Sequence, residues 1–225
     1  MKFSVKKITT LAMLAAIAYV LMVFIRIPFM PAAPFLEYDP KDIFFVMAGF
    51  LFGPAESLII IVLTCLLEMV TVSDSGIIGF AMNVIASICF VLPAAFIYRT
   101  KKTLPFAVIG LTCGVICMTA SMMLWNWIMV PLYTPGVTRA VVAGMLPVVF
   151  LPFNLIKASI NMALTLIIYK PISTILHKSG ILEERKSANE ENAEEKKSHK
   201  FSPLAIIIGV VLLAICLAVI FFVLR

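Results

Sequence analysis

Apolar residues run almost unbroken through most of this chain, so the interruptions carry the information. About 20 apolar residues in a helix cross the roughly 30 Å hydrocarbon core of a bilayer. On that measure residues 8–25 form a first spanning helix. Residues 43–67 are also nearly continuous, but Gly53-Pro54-Ala55-Glu56 breaks them, so they are either one broken span or a tight hairpin of a short helix and a longer one. Further spans are predicted at about 55–71, 76–98 and 104–130. Residues 137–150, interrupted by Gly144 and Pro147, are too short and kinked to cross and are expected to re-enter or lie at the interface. Pro152 is placed to start a sixth helix, because a proline in the first turn forfeits no hydrogen bond. That helix is expected to end near Tyr169-Lys170-Pro171.

Charge chooses between the broken span and the hairpin. With a hairpin, Lys2, Lys6, Lys7, Arg99, Lys101, Lys102 and seven basic residues between positions 170 and 200 fall on one side, 13 in all. Only Arg26, Lys41, Arg139 and Arg225 fall on the other. A single span would invert the later segments and leave five inside against 12 outside. Cytoplasmic loops carry the excess of Lys and Arg, so the hairpin is favoured, with the N-terminus inside and the C-terminus outside.

The composition agrees: 62% of the 225 residues are hydrophobic, 13% are charged, and the mean hydropathy is +1.09, which excludes a soluble domain. The fold class is an all-α integral membrane protein, a six-helix bundle with one additional C-terminal transmembrane helix. Its organisation is a six-helix membrane domain at 1–178, a charged cytoplasmic linker at 179–202 with six glutamates, and a seventh, stripe-free span at 203–225. The basic N-terminus before residues 8–25 mimics a signal peptide, but the run is long for one and no clear cleavage site follows. The net charge of +6 requires no nucleic acid, because the basic residues sit where inner loops belong. Cys65, Cys89, Cys113, Cys117 and Cys216 lie in apolar runs without metal-ligand spacing and read as buried, reduced thiols.

The sixth helix poses the chemical problem. Asn154, Lys157, Asn161 and Thr165 recur every three or four residues, so they share one stripe. A lysine at membrane depth costs about 2.5–3.5 kcal/mol on insertion scales. The stripe therefore faces other helices or an enclosed cavity, unless Lys157 snorkels to the headgroups and Asn154 only joins helices. Asn83 and Asn126, the latter between Trp125 and Trp127, add amides toward the same outer side. Residues 28–42 hold Pro28, Pro31, Pro34 and Pro40 among Phe29, Phe35, Leu36 and Tyr38, an apolar loop suited to close over a site. Asp42, after Pro40, is placed to cap the next helix. Ala12 and Ala16 form a small-xxx-small pair on the first helix, a face that lets another helix approach closely.

Catalytic signatures are missing. There is no Gly-x-x-x-x-Gly-Lys-Ser/Thr loop, Gly-x-Ser-x-Gly elbow, His-Glu-x-x-His or paired intramembrane carboxylate, and Glu68 stands alone near a helix end. The residues describe a binding protein, not an enzyme, for a neutral or weakly anionic ligand with a flat ring.

Three motifs carry a family resemblance: Phe35-Leu36-Glu37-Tyr38-Asp39-Pro40-Lys41-Asp42, Gly49-Phe50-Leu51-Phe52-Gly53-Pro54, and Pro152-Phe153-Asn154-Leu155-Ile156-Lys157. Together with Trp125-Asn126-Trp127 and Val130-Pro131-Leu132-Tyr133, they resemble the riboflavin-binding S components of energy-coupling factor (ECF) transporters over about residues 5–178. The resemblance implies a subunit that captures riboflavin from outside. It would depend on a module of one transmembrane protein and two ATPases in the bacterial plasma membrane. Riboflavin would be substrate, and no cofactor is implied. Carried over by position, Asn126, Asn154 and Lys157 are the polar flavin contacts and Leu36 and Tyr38 close the site. Asn83 joins the site on its depth, and Ala12 and Ala16 form the partner face. Helix three departs from the family pattern at Thr64-Cys65, and residues 179–225 lie outside it. An S component for another vitamin, and a scaffold whose polar residues only hold helices together, are the alternatives.

Overall fold

The computed structural model describes residues 5–73 and 76–178, with Ile207 and Val211. The expected linker and seventh span otherwise lie outside the described residues. Helix α1 is Val5–Phe24, α2 Lys41–Leu51, α3 Pro54–Thr71, α4 Gly76–Lys101 and α5 Leu104–Tyr133. Helix α6, Arg139–Met145, runs through a wide π turn at Leu146–Phe150 into α7, Leu151–Lys178. Six helical rods result among the described residues, in agreement with the bundle expected from the sequence. Five of them are long and apolar enough to cross a membrane.

The exception is α2. Its 11 residues rise only about 16 Å at 1.5 Å each, too short for a bilayer. All its residues from Lys41 to Phe50 are buried, and it packs against α1, α3, α4 and α7. A helix that is apolar all round belongs in a core, and α2 is the axis of this one. The hairpin inferred from charge is thus the observed arrangement. The chain reverses at Gly53, whose φ of 125° is costly for a side-chain-bearing residue. Pro54 then opens α3 at a position where its missing N–H is harmless.

Helices α4 and α5 meet most extensively. At Gly114 an added Cβ would lie 2.3 Å from the Phe90 carbonyl oxygen, so only glycine permits this approach. At one end of the bundle Phe50 stacks on Tyr98 with ring centroids 4.1 Å apart, and the Tyr98 and Tyr169 hydroxyls share a hydrogen bond. This cluster ties α2, α4 and α7 together.

Three expectations change. Residues 139–150 are not a separate interfacial segment but the first part of a continuous helical run, so Pro152 does not start the last rod. Pro147 and Pro152 each remove an i→i−4 hydrogen bond, and the wider π turn, which contains Pro147 and ends two residues before Pro152, absorbs the mismatch without ending the helix. The run also continues through Pro171 to Lys178. Of the four thiols among the described residues, only Cys65 is buried; Cys89, Cys113 and Cys117 are half-buried, all four are free, and Cys216 lies outside the described residues.

The loop after α1 is more ordered than its prolines suggested. Ile27–Pro28 (β1) pairs antiparallel with Glu37–Tyr38 (β2), with Ile27 opposite Tyr38. Phe29, Met30, Ala33 and Leu36 turn inward and join Phe150, Phe153 and Ile156 in an apolar cluster distinct from the bundle core. Phe29 stacks on Phe153 at 5.0 Å. The loop is thereby fastened over α7.

Candidate substrate-binding site

Beneath this loop lies a cavity of about 220 Å³, bounded by the loop, α3, α4, α5 and α7. That is room for one small molecule, below the usual roughly 300–1,000 Å³ of ligand sites. Its apolar walls include Phe35, Leu36, Met82, Met118, Met122 and Phe153. Such aromatic and thioether surfaces suit the face of a planar ring.

The α7 stripe faces inward as its spacing requires: Asn154, Lys157, Asn161 and Thr165 are all buried. Lys157, only 7% exposed, does not snorkel. Its Nζ donates to Asp39 Oδ2 at 2.8 Å and to the Glu37 carbonyl at 3.4 Å, which pins the loop to the helix. Asn154 and Asn126 behave alike. Each donates one of its two amide N–H groups to the carbonyl four residues back, Phe150 at 2.8 Å and Met122 at 2.7 Å. The Asn126 Oδ1 that remains is buried without a partner, at 0% exposure of the residue. A buried acceptor left unmade costs about 1–3 kcal/mol, so a donor belongs there.

Leu36, Asn83, Asn126, Asn154 and Lys157 all line the cavity, and the structure brings these five expected residues together. Tyr38 is placed differently. It is buried, and its hydroxyl donates to Asn161 Oδ1 at 3.1 Å, so it braces the loop against α7 outside the lining. Ala12 and Ala16 are exposed on the outer face of α1, away from the cavity.

Sequence reasoning missed a charge network. Glu68 is not a lone carboxylate: it accepts from Lys41 at 2.8 Å, Arg26 at 3.2 Å and Asn83 at 3.0 Å. Lys41 is 1% exposed, not an exterior cation, and also lies 3.4 Å from Asp39. Asp42 caps nothing. Pro40 precedes α2, and the Asp42 carboxylate accepts from Ser87 at 2.5 Å and Asn161 at 3.3 Å. Burial alone would raise the Asp39 carboxyl, but the ammonium groups of Lys157 and Lys41 outweigh it and hold the group well below the usual carboxylate range. The available signal was the density of charge at Glu37, Asp39, Lys41 and Asp42 between Leu36 and Phe44. Charges flanked so closely by apolar residues must be paired wherever they are buried.

A membrane bundle of five long rods around a short central helix, with a polar cavity under a fastened loop, defines a membrane-embedded binding subunit. The family model described as "ECF transporter, substrate-specific component" matches residues 6–169, and the chain belongs to that family. It is 32% identical over 178 residues to the riboflavin transporter RibU of Staphylococcus aureus (strain TCH60), covering 76% of this chain and 92% of the relative. It is 30% identical to the riboflavin transporter FmnP of Bacillus subtilis (strain 168), covering 68% and 84%. Among solved structures, the S component of a bacterial ECF transporter superposes with a TM-score of 0.63 at 32% identity, covering 76% of this chain and 97% of that one.

Proposed function

We propose that this protein captures riboflavin from outside the cell and delivers it through an ECF transporter, with riboflavin as cargo and not as cofactor. The observation that carries this reading is the pair of buried asparagines in the cavity lining, one of them with an unpartnered amide oxygen. The Asn126 Oδ1 is buried without a partner, Asn154 donates one amide N–H to its own helix, and both line the cavity beside its apolar walls. Riboflavin offers a planar ring with an imide N–H between carbonyls and a chain of hydroxyl donors. The riboflavin transporters named above support the same ligand.

The chain has no ATP-binding loop of its own, and we assign the energy source to a separate module of one transmembrane protein and two ATPases. The exposed Ala12 and Ala16 are the contact we assign to its transmembrane partner. The charge balance supports a plasma-membrane protein with a cytoplasmic N-terminus and an outer cavity.

Detergent-purified protein is expected to bind riboflavin and quench its fluorescence. Asn126→Ala and Asn154→Ala are each expected to weaken affinity about five- to 150-fold, the equivalent of about 1–3 kcal/mol per buried hydrogen bond. No quenching by the intact protein, or full affinity in both variants, would overturn the reading. Saturable binding of another vitamin instead would keep the scaffold and change the ligand.

A further inference from the structure

No residue of α1 lines the cavity, and the helix packs against α2 and α3 through a narrow seam that includes Leu11, Leu14, Ala18 and Met22. Apolar contact is non-directional, so it fixes the spacing of two helices more firmly than their register or roll. Directional bonds supply the rest. The chain through α1 is tied to α3 at three levels. Near its start Lys7 Nζ pairs with Glu56, and farther along the Tyr19 hydroxyl donates to Thr71 Oγ1 at 2.9 Å. Just past its end, Arg26 donates to Glu68 at 3.2 Å.

The first tie is built around a buried charge. Glu56 stands in the first turn of α3, where a helix N-terminus favours a carboxylate, yet its side chain is buried and needs a counter-charge. It folds back over the α2–α3 turn: a Cβ added at Gly53 would lie 3.0 Å from its Oε2. Lys7 reaches it from α1, with Nζ also 6.0 Å from the centre of the Phe52 ring. One ion pair thus joins α1, the turn and α3. Ala12 and Ala16 lie between this tie and the one at Tyr19, and both are exposed.

We propose that Lys7 and Glu56 are positioning residues for energy coupling: their ion pair fixes the register and roll of α1 on α3, and so the direction in which Ala12 and Ala16 face the transmembrane partner. This rests on the assignment of the two alanines to that partner. Close helix approach over small residues is sensitive to roll, because the surface that permits it is only one or two side chains wide. The pair lies at the end of α1 away from the cavity. Arg26 and Glu68, on the cavity wall, hold the other end independently, so loosening Lys7 leaves the binding site in place.

The test compares full-length wild type with Lys7→Gln, Glu56→Gln, Lys7→Glu, Glu56→Lys and the exchanged pair Lys7→Glu/Glu56→Lys. Three quantities are measured: riboflavin affinity of the purified protein, riboflavin uptake per inserted copy in cells, and co-purification of the ATPase module with the tagged chain. Each single variant is expected to lose uptake and co-purification at least about fivefold while its dissociation constant stays within about twofold of wild type. The exchanged pair is expected to recover most of the loss. Recovery by exchange is a result that a general loss of stability does not produce. Should reversing a charge near the N-terminus disturb insertion, the two glutamine variants carry the test. Unchanged uptake in both glutamine variants, no recovery in an exchanged pair that inserts normally, or affinity falling in parallel with uptake would overturn the proposal. A wild-type chain that binds riboflavin but recruits no module would overturn the assignment of the energy source instead.

Discussion

Lys157 and Asp39 are 118 positions apart in sequence, and their pairing is what lets a lysine sit in a membrane helix. Breaking a buried pair from one side leaves an uncompensated charge and typically costs about 3–5 kcal/mol. Lys157→Met and Asp39→Asn are therefore expected to destabilise the protein singly and to be less than additive together, with a coupling of about 0.5–3 kcal/mol in a double-mutant cycle. Additive losses would place the two groups in independent roles. The pH dependence has a definite sign. The folded Asp39 carboxyl lies well below its unfolded value, so the stability it contributes is fully present above the unfolded pKa of about 3.9 and is lost as pH falls through the folded one. The difference in thermal stability between wild type and Asp39→Asn is expected to stay constant from pH 8 to about 5 and to narrow only below about 4. A difference that closes near neutrality would contradict the pairing. The stripe on α7 was legible because helical spacing alone fixes which residues share a face. The partners of Lys157 were not, because a loop decides where Asp39 lands and local pattern does not encode that path.

At the scale of elements, α1 turns Leu11, Leu14 and Ala18 into the core and leaves Ala12 and Ala16 exposed beside Met13 and Val20. Small residues on an outward face allow a second helix to approach closely. Ala12→Leu and Ala16→Leu are expected to abolish riboflavin uptake in cells while the isolated protein retains its affinity, because neither residue touches the cavity. Parallel loss of uptake and binding would instead assign the alanines to internal packing. Helix boundaries up to α5 followed the apolar runs closely, since Gly53-Pro54 and the polar turns are strong punctuation. The run from Arg139 onward did not, because Pro147 and Pro152 read as helix breakers in one dimension. In three dimensions a π turn absorbs both, and packing of Val149, Phe150 and Phe153 into the loop cluster compensates for the missing hydrogen bonds.

At the scale of the whole molecule, the balance of charge settled the number of rods where hydropathy could not, and the observed α2–α3 hairpin is the parity it required. The same parity governs the far end of the chain. Residues 5–178 already contain the cavity, the fastened loop and every charge partner described above. The run at 203–224 carries no charged residue and no polar stripe, and a linker of some 25 residues separates it from α7. As the seventh span expected from the sequence, it would have nothing to offer a polar ligand and enough slack to stand apart. A chain stopped after Ser179 is therefore expected to insert and to bind riboflavin with the affinity of the full protein. One further crossing also moves the C-terminus to the opposite side, so a tag after Ser179 is expected in the cytoplasm and a tag after Arg225 outside. Protease or thiol-labelling accessibility in intact cells reads both positions. A truncated protein that fails to bind would make the last span part of the binding bundle, and two tags on one side would mean that residues 203–225 do not cross.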